Sequence, residues 1–269
     1  MGIAMSTQMI LAQVPSYVPT NGLVGYWPFN GNANDVTSNA NNGTVSDATL
    51  TADRFGNANK AYSFNGINNY ITATRIYQSA FSVSLWFNTS GSQLYNPLID
   101  AFDANWEIQL KNASPDYVSF ITASNYQELL SSSLTQNNIW YNLICTYSNN
   151  VVKFYINGIL KDQFTAYVLP NNIGNYYFGA SMTGADQFFN GDLDDIGIWN
   201  RALTQDEITS LYYADNTCQS LVINTGVLSF NPPTYQNTVT IYPNWIFRSK
   251  LYTPFRSKVN TLFRSKLYR

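Results

Sequence analysis

The sequence predicts an all-β chain with one short helix. Between Gly22 and Tyr213 the apolar residues fall in short alternating runs separated by clusters of Asn, Gly, Ser and Asp, which is the pattern of half-buried strands joined by turns. The composition agrees. Of 269 residues, 45% are hydrophobic, 16% aromatic and only 11% charged, against about 25% charged in an ordinary soluble domain. The helix is predicted by Thr204 and Glu207, which stand at the N-cap and N3 positions of a capping box ahead of Ile208 and Leu211.

Taken in order, the strand-like runs include Ala61-Tyr-Ser-Phe64, Phe81-Ser-Val-Ser-Leu-Trp-Phe87, Trp106-Glu-Ile-Gln-Leu110, Tyr117-Val-Ser-Phe-Ile121 and Ile139-Trp-Tyr-Asn-Leu-Ile-Cys-Thr-Tyr147. In the second run Phe81, Val83, Leu85 and Phe87 share one face, and Ser82, Ser84 and Trp86 the other. One of those faces is core. Within Val151 to Lys161, Asn157-Gly158 supplies the pair of positive φ angles that a type I′ turn requires, so a tight hairpin is expected. The helix should span Gln205 to Tyr213 with Ile208 and Leu211 as its apolar stripe.

Composition excludes several chemistries. Histidine is absent, which removes Ser-His-Asp and Cys-His catalysis and every His-containing zinc site. Only Glu107, Glu128 and Glu207 supply glutamate, and Glu207 is assigned to the helix cap. Glycoside hydrolysis needs two carboxyls flanking the bond, about 5 to 9.5 Å apart, so the shortage argues for a non-catalytic protein. Cys145 lies in an apolar run and Cys218 near a domain end, which suggests separate roles rather than one disulfide.

The formal charge of −2 hides two unlike segments. Residues 245 to 269 carry Arg248, Lys250, Arg256, Lys258, Arg264, Lys266 and Arg269 without an acid, leaving 7 bases and 16 acids in residues 1 to 244, a net of −9. That acidic surface argues against nucleic-acid binding by the folded domain. No run approaches the 18 or so apolar residues of a membrane span.

Larger motifs resemble a known family. Gly22-Leu-Val-Gly-Tyr-Trp-Pro-Phe-Asn-Gly-Asn-Ala-Asn-Asp35, the loop Ser38-Asn-Ala-Asn-Asn-Gly-Thr44, Phe64-Asn-Gly66 and Tyr70-Ile71 resemble the opening of a laminin-G-like domain of the concanavalin A-like lectin/glucanase superfamily. Trp140-Tyr141, Phe154-Tyr-Ile-Asn-Gly158 and the segment Phe189 to Thr204 follow in the family's order. The resemblance implies a jelly-roll sandwich of two antiparallel sheets over about residues 21 to 216, preceded by a degenerate signal remnant and extended leader at 1 to 20. The family's hydrolases are recognised by a Glu-x-Asp-x-Glu strand that is absent here.

The resemblance also implies a calcium ion. Laminin-G-like modules often bring a first loop and a last strand together around one, which by carry-over selects Asp35 with Asp194 or Asp195. Strict alternation would send Asp194, Ile196 and Ile198 to one face and Asp195, Gly197 and Trp199 to the other, so at most one of the two acids should be an inner ligand unless the chain bulges. The competing reading is a solvated acidic turn. Fewer formal charges than in relatives, with Asn65, Asn68 and Asn69 in a turn that is often acidic, suggest modest affinity.

Sugar binding is the companion expectation. Tyr95, Trp106, Tyr117, Tyr126, Tyr176 and Tyr177 are candidates for a loop rim or an open sheet, while Trp27, Trp86, Trp140 and Trp199 sit in strand motifs and are assigned to packing. The expected function is therefore an extracellular or cell-surface adhesion module binding polysaccharide or a surface glycoprotein. Its alternatives are a glycoside hydrolase of the same superfamily and a structural spacer.

Beyond the helix, Leu228 to Asn244 with Ile241-Tyr-Pro-Asn244 resembles the start of a type IX secretion sorting domain, so 217 to 244 reads as a linker and truncated sorting segment. Phe-Arg-Ser-Lys then begins at Phe247, Phe255 and Phe263. This basic repeat, expected to be disordered, reads either as repeat DNA translated after a frame disruption or as an arm for anionic polymers.

Overall fold

The computed structural model describes residues 13–76, 79–90, 95–101, 106–111, 117–122, 126–127, 136–165, 174–181 and 187–213. All of them fall in the first of the two units into which the chain divides, Met1–Ser220 and Leu221–Arg269. The proposed signal remnant before Gln13, the sorting segment, the basic repeat and Cys218 lie outside the described residues.

Short strands follow one another as the alternation predicts. They are β1 (Leu23–Trp27), β2 (Thr44–Ser46), β3 (Thr49–Thr51), β4 (Ala61–Asn65), β5 (Tyr70–Thr74), β6 (Phe81–Thr89), β7 (Tyr95–Ala101) and β8 (Trp106–Lys111). They continue with β9 (Tyr117–Thr122), β10 (Tyr126–Gln127), β11 (Trp140–Ser148), β12 (Val151–Ile156), β13 (Ile159–Thr165), β14 (Asn175–Phe178) and β15 (Asn190–Trp199) before helix α1 (Gln205–Tyr213).

Antiparallel pairing sorts them into two sheets. An eight-stranded sheet runs β13-β12-β11-β6-β15-β4-β3, with β1 also paired to β15, and a seven-stranded sheet runs β10-β9-β8-β7-β14-β5-β2. The chain crosses repeatedly from one layer to the other, as a jelly-roll sandwich does. Between the layers lies one large apolar cluster, to which Phe81, Val83, Leu85 and Phe87 contribute from β6 and Trp106, Ile108 and Leu110 from β8.

The local signals are met at the expected places. Asn157 and Gly158 have φ of 51° and 75° and join β12 to β13. At α1 the Thr204 N–H donates to Glu207 Oε2 at 2.8 Å, while the Glu207 N–H donates to Thr204 Oγ1 at 3.3 Å. Ile208 and Leu211 bury the helix against Tyr26, Ile144, Tyr155 and Trp199 on the outer face of the eight-stranded sheet. That sheet thus has apolar residues on both sides. The leader departs from the extended form expected of it. It turns at Ser16 and Tyr17, buries Val18, and takes the Trp199 Nε1–H on the Pro19 carbonyl at 2.6 Å.

Candidate functional site

Asp194 and Asp195 are brought together, and the reason is a bulge. The register of β15 against β6 shifts between Asp194 and Gly197, and Asp195 has φ 48°. Leu193 and Ile196 both reach the inter-sheet core, so the two residues between them turn outward side by side. This corrects the alternating expectation, which paired Asp194 with Ile196 and Ile198. The guanidinium of Arg54 then spans both acids, Nη1 to Asp194 Oδ2 and Nη2 to Asp195 Oδ2, each at 2.8 Å. Tyr26 donates its hydroxyl to Asp195 Oδ1 at 2.8 Å, and the Arg54 cation lies 4.4 Å from the Trp86 ring centroid. Burial pushes both carboxyls up, with Arg54 opposing the rise.

Asp35 is engaged elsewhere. Its Oδ1 accepts the Tyr26 and Thr37 N–H groups at 3.0 and 2.9 Å, and its Oδ2 accepts Thr37 Oγ1–H and the Asn41 N–H at 2.8 and 2.9 Å. The carboxylate is the hub of the first loop. An ion on these three acids would have to displace Arg54 and the donors around Asp35, and among the described residues no group of three or more His, Cys, Asp or Glu is placed to hold a metal.

A different polar cluster lies on the outer face of the seven-stranded sheet. Alternation on β8 turns Trp106, Ile108 and Leu110 to the core, so Glu107, Gln109 and Lys111 look outward. Register completes three rows. Glu107 pairs with Asp100 on β7 and Ile121 on β9, and Asp100 in turn pairs with Tyr177 on β14. Gln109 pairs with Ser119, and Lys111 with Tyr95 and Tyr117. The Lys111 ammonium stands 5.8 Å from each of those two ring centroids.

The middle of this face is buried and polar. Relative exposures are 0% for Asp100, 3% for Glu107, 2% for Gln109 and 0% for Ser119, yet Glu107 Oε1, Gln109 Oε1 and Ser119 Oγ have no hydrogen-bond partner. Ser181 donates its hydroxyl to Asp100 Oδ2 at 3.1 Å. Burial pushes the Glu107 carboxyl up to about 8, and the charge of Asp100 adds to the rise. Glu107 is thus mostly protonated at neutral pH. Tyr95, Lys111 and Tyr177 are the half-open members of the face.

Of the aromatic candidates, Tyr95, Tyr117 and Tyr177 belong to these rows, whereas Trp106 and Tyr176 are in the inter-sheet core. The Tyr126 side chain lies outside the described residues. Trp27 and Trp199 are packing residues, as expected. Gln109, Ser119, Asp100 and Ser181 escaped sequence reasoning. The run Trp106 to Leu110 did signal that Glu107 and Gln109 oppose an apolar face, but only strand register brings Asp100 and Ser119 beside them.

A two-layer antiparallel sandwich with this strand order is a jelly-roll domain of the concanavalin A-like class. The chain belongs to the laminin-G family of the concanavalin A-like lectin/glucanases superfamily, whose model matches residues 64–209, more than half of the sequence. No curated protein matches it in sequence.

Among solved structures it is similar to domain 4 of AbnA, a GH43 extracellular arabinanase from Geobacillus stearothermophilus in complex with arabinotriose. The TM-score is 0.59 at 22% identity, over 71% of this chain and 98% of that one. The botulinum neurotoxin serotype D ligand-binding domain in complex with N-acetylneuraminic acid gives 0.55 at 20%, over 72% of this chain and 51% of that one. A Trypanosoma rangeli sialidase mutant displaying trans-sialidase activity gives 0.57 at 16%, over 74% and 34%. These likenesses are of fold. No helix among the described residues is long and apolar enough to cross a membrane.

Proposed function

We propose that the chain is a non-catalytic glycan-binding module acting in adhesion outside the cell, and that the outer face of the seven-stranded sheet holds the sugar. The observation that carries this reading is the row of buried oxygens without donors, Gln109 Oε1 and Ser119 Oγ, beside the Tyr95, Lys111 and Tyr117 row. A buried acceptor left unpaired costs about 1 to 3 kcal/mol. Sugar hydroxyls supply the missing donors, and tyrosine rings pack against the apolar faces of pyranose or furanose rings. The fold's occurrence in domains complexed with arabinotriose and N-acetylneuraminic acid supports the same class of ligand, an extracellular polysaccharide or surface glycoprotein.

Binding is favoured over hydrolysis by the acid pair itself. Asp100 and Glu107 are directly opposed across two strands, and the Ser181 hydroxyl engages both.

The test is retention of the full chain on a panel of immobilised polysaccharides. Gln109→Ala, Ser119→Ala and Tyr95→Ala should each weaken retention at least several-fold with melting temperature within about 2 °C of the parent, and no reducing ends should appear. Retention that survives all three substitutions refutes this face as the site, and turnover abolished by Glu107→Gln refutes the non-catalytic reading.

A further inference from the structure

We propose that a groove on the outer face of the eight-stranded sheet, centred on Lys153, is a second binding site, for a sugar unit that carries an anionic group, a carboxylate or a sulfate ester. Strand register builds it. Val152 and Phe154 on β12 and Cys145 and Tyr147 on β11 reach the inter-sheet core, so Lys153, Thr146 and Ser148 look outward. Thr146 on β11, Lys153 on β12 and Gln163 on β13 then form one row across three strands.

Helix α1 packs over the adjoining row, Ile144 and Tyr155, and beside it opens a groove of about 400 Å³. Ala202 and Leu203, just ahead of the helix, line it as well. That wall is fixed to the sheet. The Leu203 N–H donates to Ser82 Oγ at 2.9 Å, and the Ser82 hydroxyl donates to the Arg201 carbonyl at 2.8 Å. The groove is thus preformed and falls within the size range of small-ligand sites, about 300 to 1,000 Å³.

Its lining carries one charge. Lys153 is half-buried, Thr146 beside it is buried, and no carboxylate lines the groove. Among the described residues the Lys153 ammonium has neither an ion pair nor a hydrogen bond, whereas Arg54 and Arg201 are paired with acids. Partial burial strips water from an ammonium, and a charge-assisted bond from a ligand anion replaces it.

The neighbours of Lys153 select the rest of the ligand. The Thr146 and Ser148 hydroxyls and the Gln163 amide can each donate and accept, which suits sugar hydroxyls, while Val151 and Leu203 offer apolar surface to ring carbons. An acidic peptide would add as a strand along a sheet edge. This groove lies on a sheet face and is walled by Leu203, which favours one compact unit.

The full-length chain is titrated in a calorimeter at fixed ionic strength with glucuronate, glucose 6-sulfate, glucose, acetate and inorganic sulfate. The expected result is binding of glucuronate or glucose 6-sulfate, the stronger of the two naming the anionic group, with glucose, acetate and sulfate weaker by about tenfold or more. Lys153→Gln should remove that preference, and Ser148→Ala should weaken binding several-fold. Because Lys153 has no partner in the chain to lose, Lys153→Gln should melt within about 2 °C of the parent. The basic repeat at 245 to 269 is the same in every variant, so any anion it attracts cancels from the comparison.

No residue of this groove belongs to the seven-stranded sheet, so the two sites fail separately, and Gln109→Ala should leave glucuronate and glucose 6-sulfate binding intact. The proposal is overturned if neither anionic sugar binds, if the preference survives Lys153→Gln or is lost on Gln109→Ala, or if acetate or sulfate binds as tightly as the sugars.

Discussion

Replacing Arg54 with methionine tests the account of the Asp194–Asp195 bulge. The stem volume is kept, while the charge that spans two acids is lost. Arg54 and Asp194 side chains are 6% and 3% exposed and Asp195 is 15% exposed, so solvent screens little of the interaction. Removing one partner of a buried pair costs about 3 to 5 kcal/mol, because the remaining charge stays buried and unpaired. Loss of the guanidinium from the Trp86 ring adds on the order of 1 kcal/mol.

In a domain of this size the two losses together correspond to a fall of roughly 8 to 24 °C in melting temperature. The dependence on pH has a definite sign. Burial raises both aspartate pKa values above their unfolded values, and Arg54 opposes the rise. Without Arg54 the folded values climb further. The deficit is therefore smallest at low pH, where the acids are protonated in both states, and grows as pH rises through the folded values. Urea denaturation at pH 5 and pH 8 measures it. A loss below about 1 kcal/mol, or one equal at both pH values, would show that the clamp does not hold the bulge.

Two further outcomes are expected. Thr204→Ala removes the hydroxyl that accepts the Glu207 N–H and should cost about 1 kcal/mol by urea denaturation, with Arg201 keeping its two bonds to Glu207. Glu107→Gln should reduce the loss of stability between pH 5 and 9. The folded carboxyl titrates near 8 against an ordinary value of 4.5, so the parent loses stability as pH rises through that window, on the order of 4 kcal/mol at 1.36 kcal/mol per pK unit; a parent whose stability is level from pH 5 to 9 would contradict the buried acid.

The frame of this domain was legible because it depends on local patterns. Phe81 to Phe87 alternates without interruption, Asn157-Gly158 allows little besides a tight turn, and Thr204 with Glu207 marks a helix start by spacing alone. The site was less legible, for two physical reasons. A bulge at Asp194 and Asp195 breaks the period of two, and its partner Arg54 is 140 residues away in sequence. The polar rows of the seven-stranded sheet depend on which strand lies beside which. Glu107 and Asp100 are seven residues apart in sequence, and nothing in either run states that they face each other.

The two outer faces also solve the same problem differently, and the difference points to function. On the eight-stranded sheet α1 covers apolar residues, and the acids there are matched by a guanidinium and a tyrosine hydroxyl. That face is not fully matched, since Asn88 Oδ1 and Asn142 Oδ1 are buried there without a partner. On the seven-stranded sheet Asp100 faces Glu107, and three buried oxygens have no donor. Each buried oxygen left unpaired costs stability, and on the seven-stranded sheet Gln109 and Ser119 are in-register neighbours. Their retention is understandable under the glycan reading, in which sugar hydroxyls supply donors to Gln109 and Ser119. Filling that face with leucine in place of Gln109 and alanine in place of Ser119 should then stabilise the chain while abolishing polysaccharide retention. A filled face that is less stable would mean these oxygens serve the fold instead.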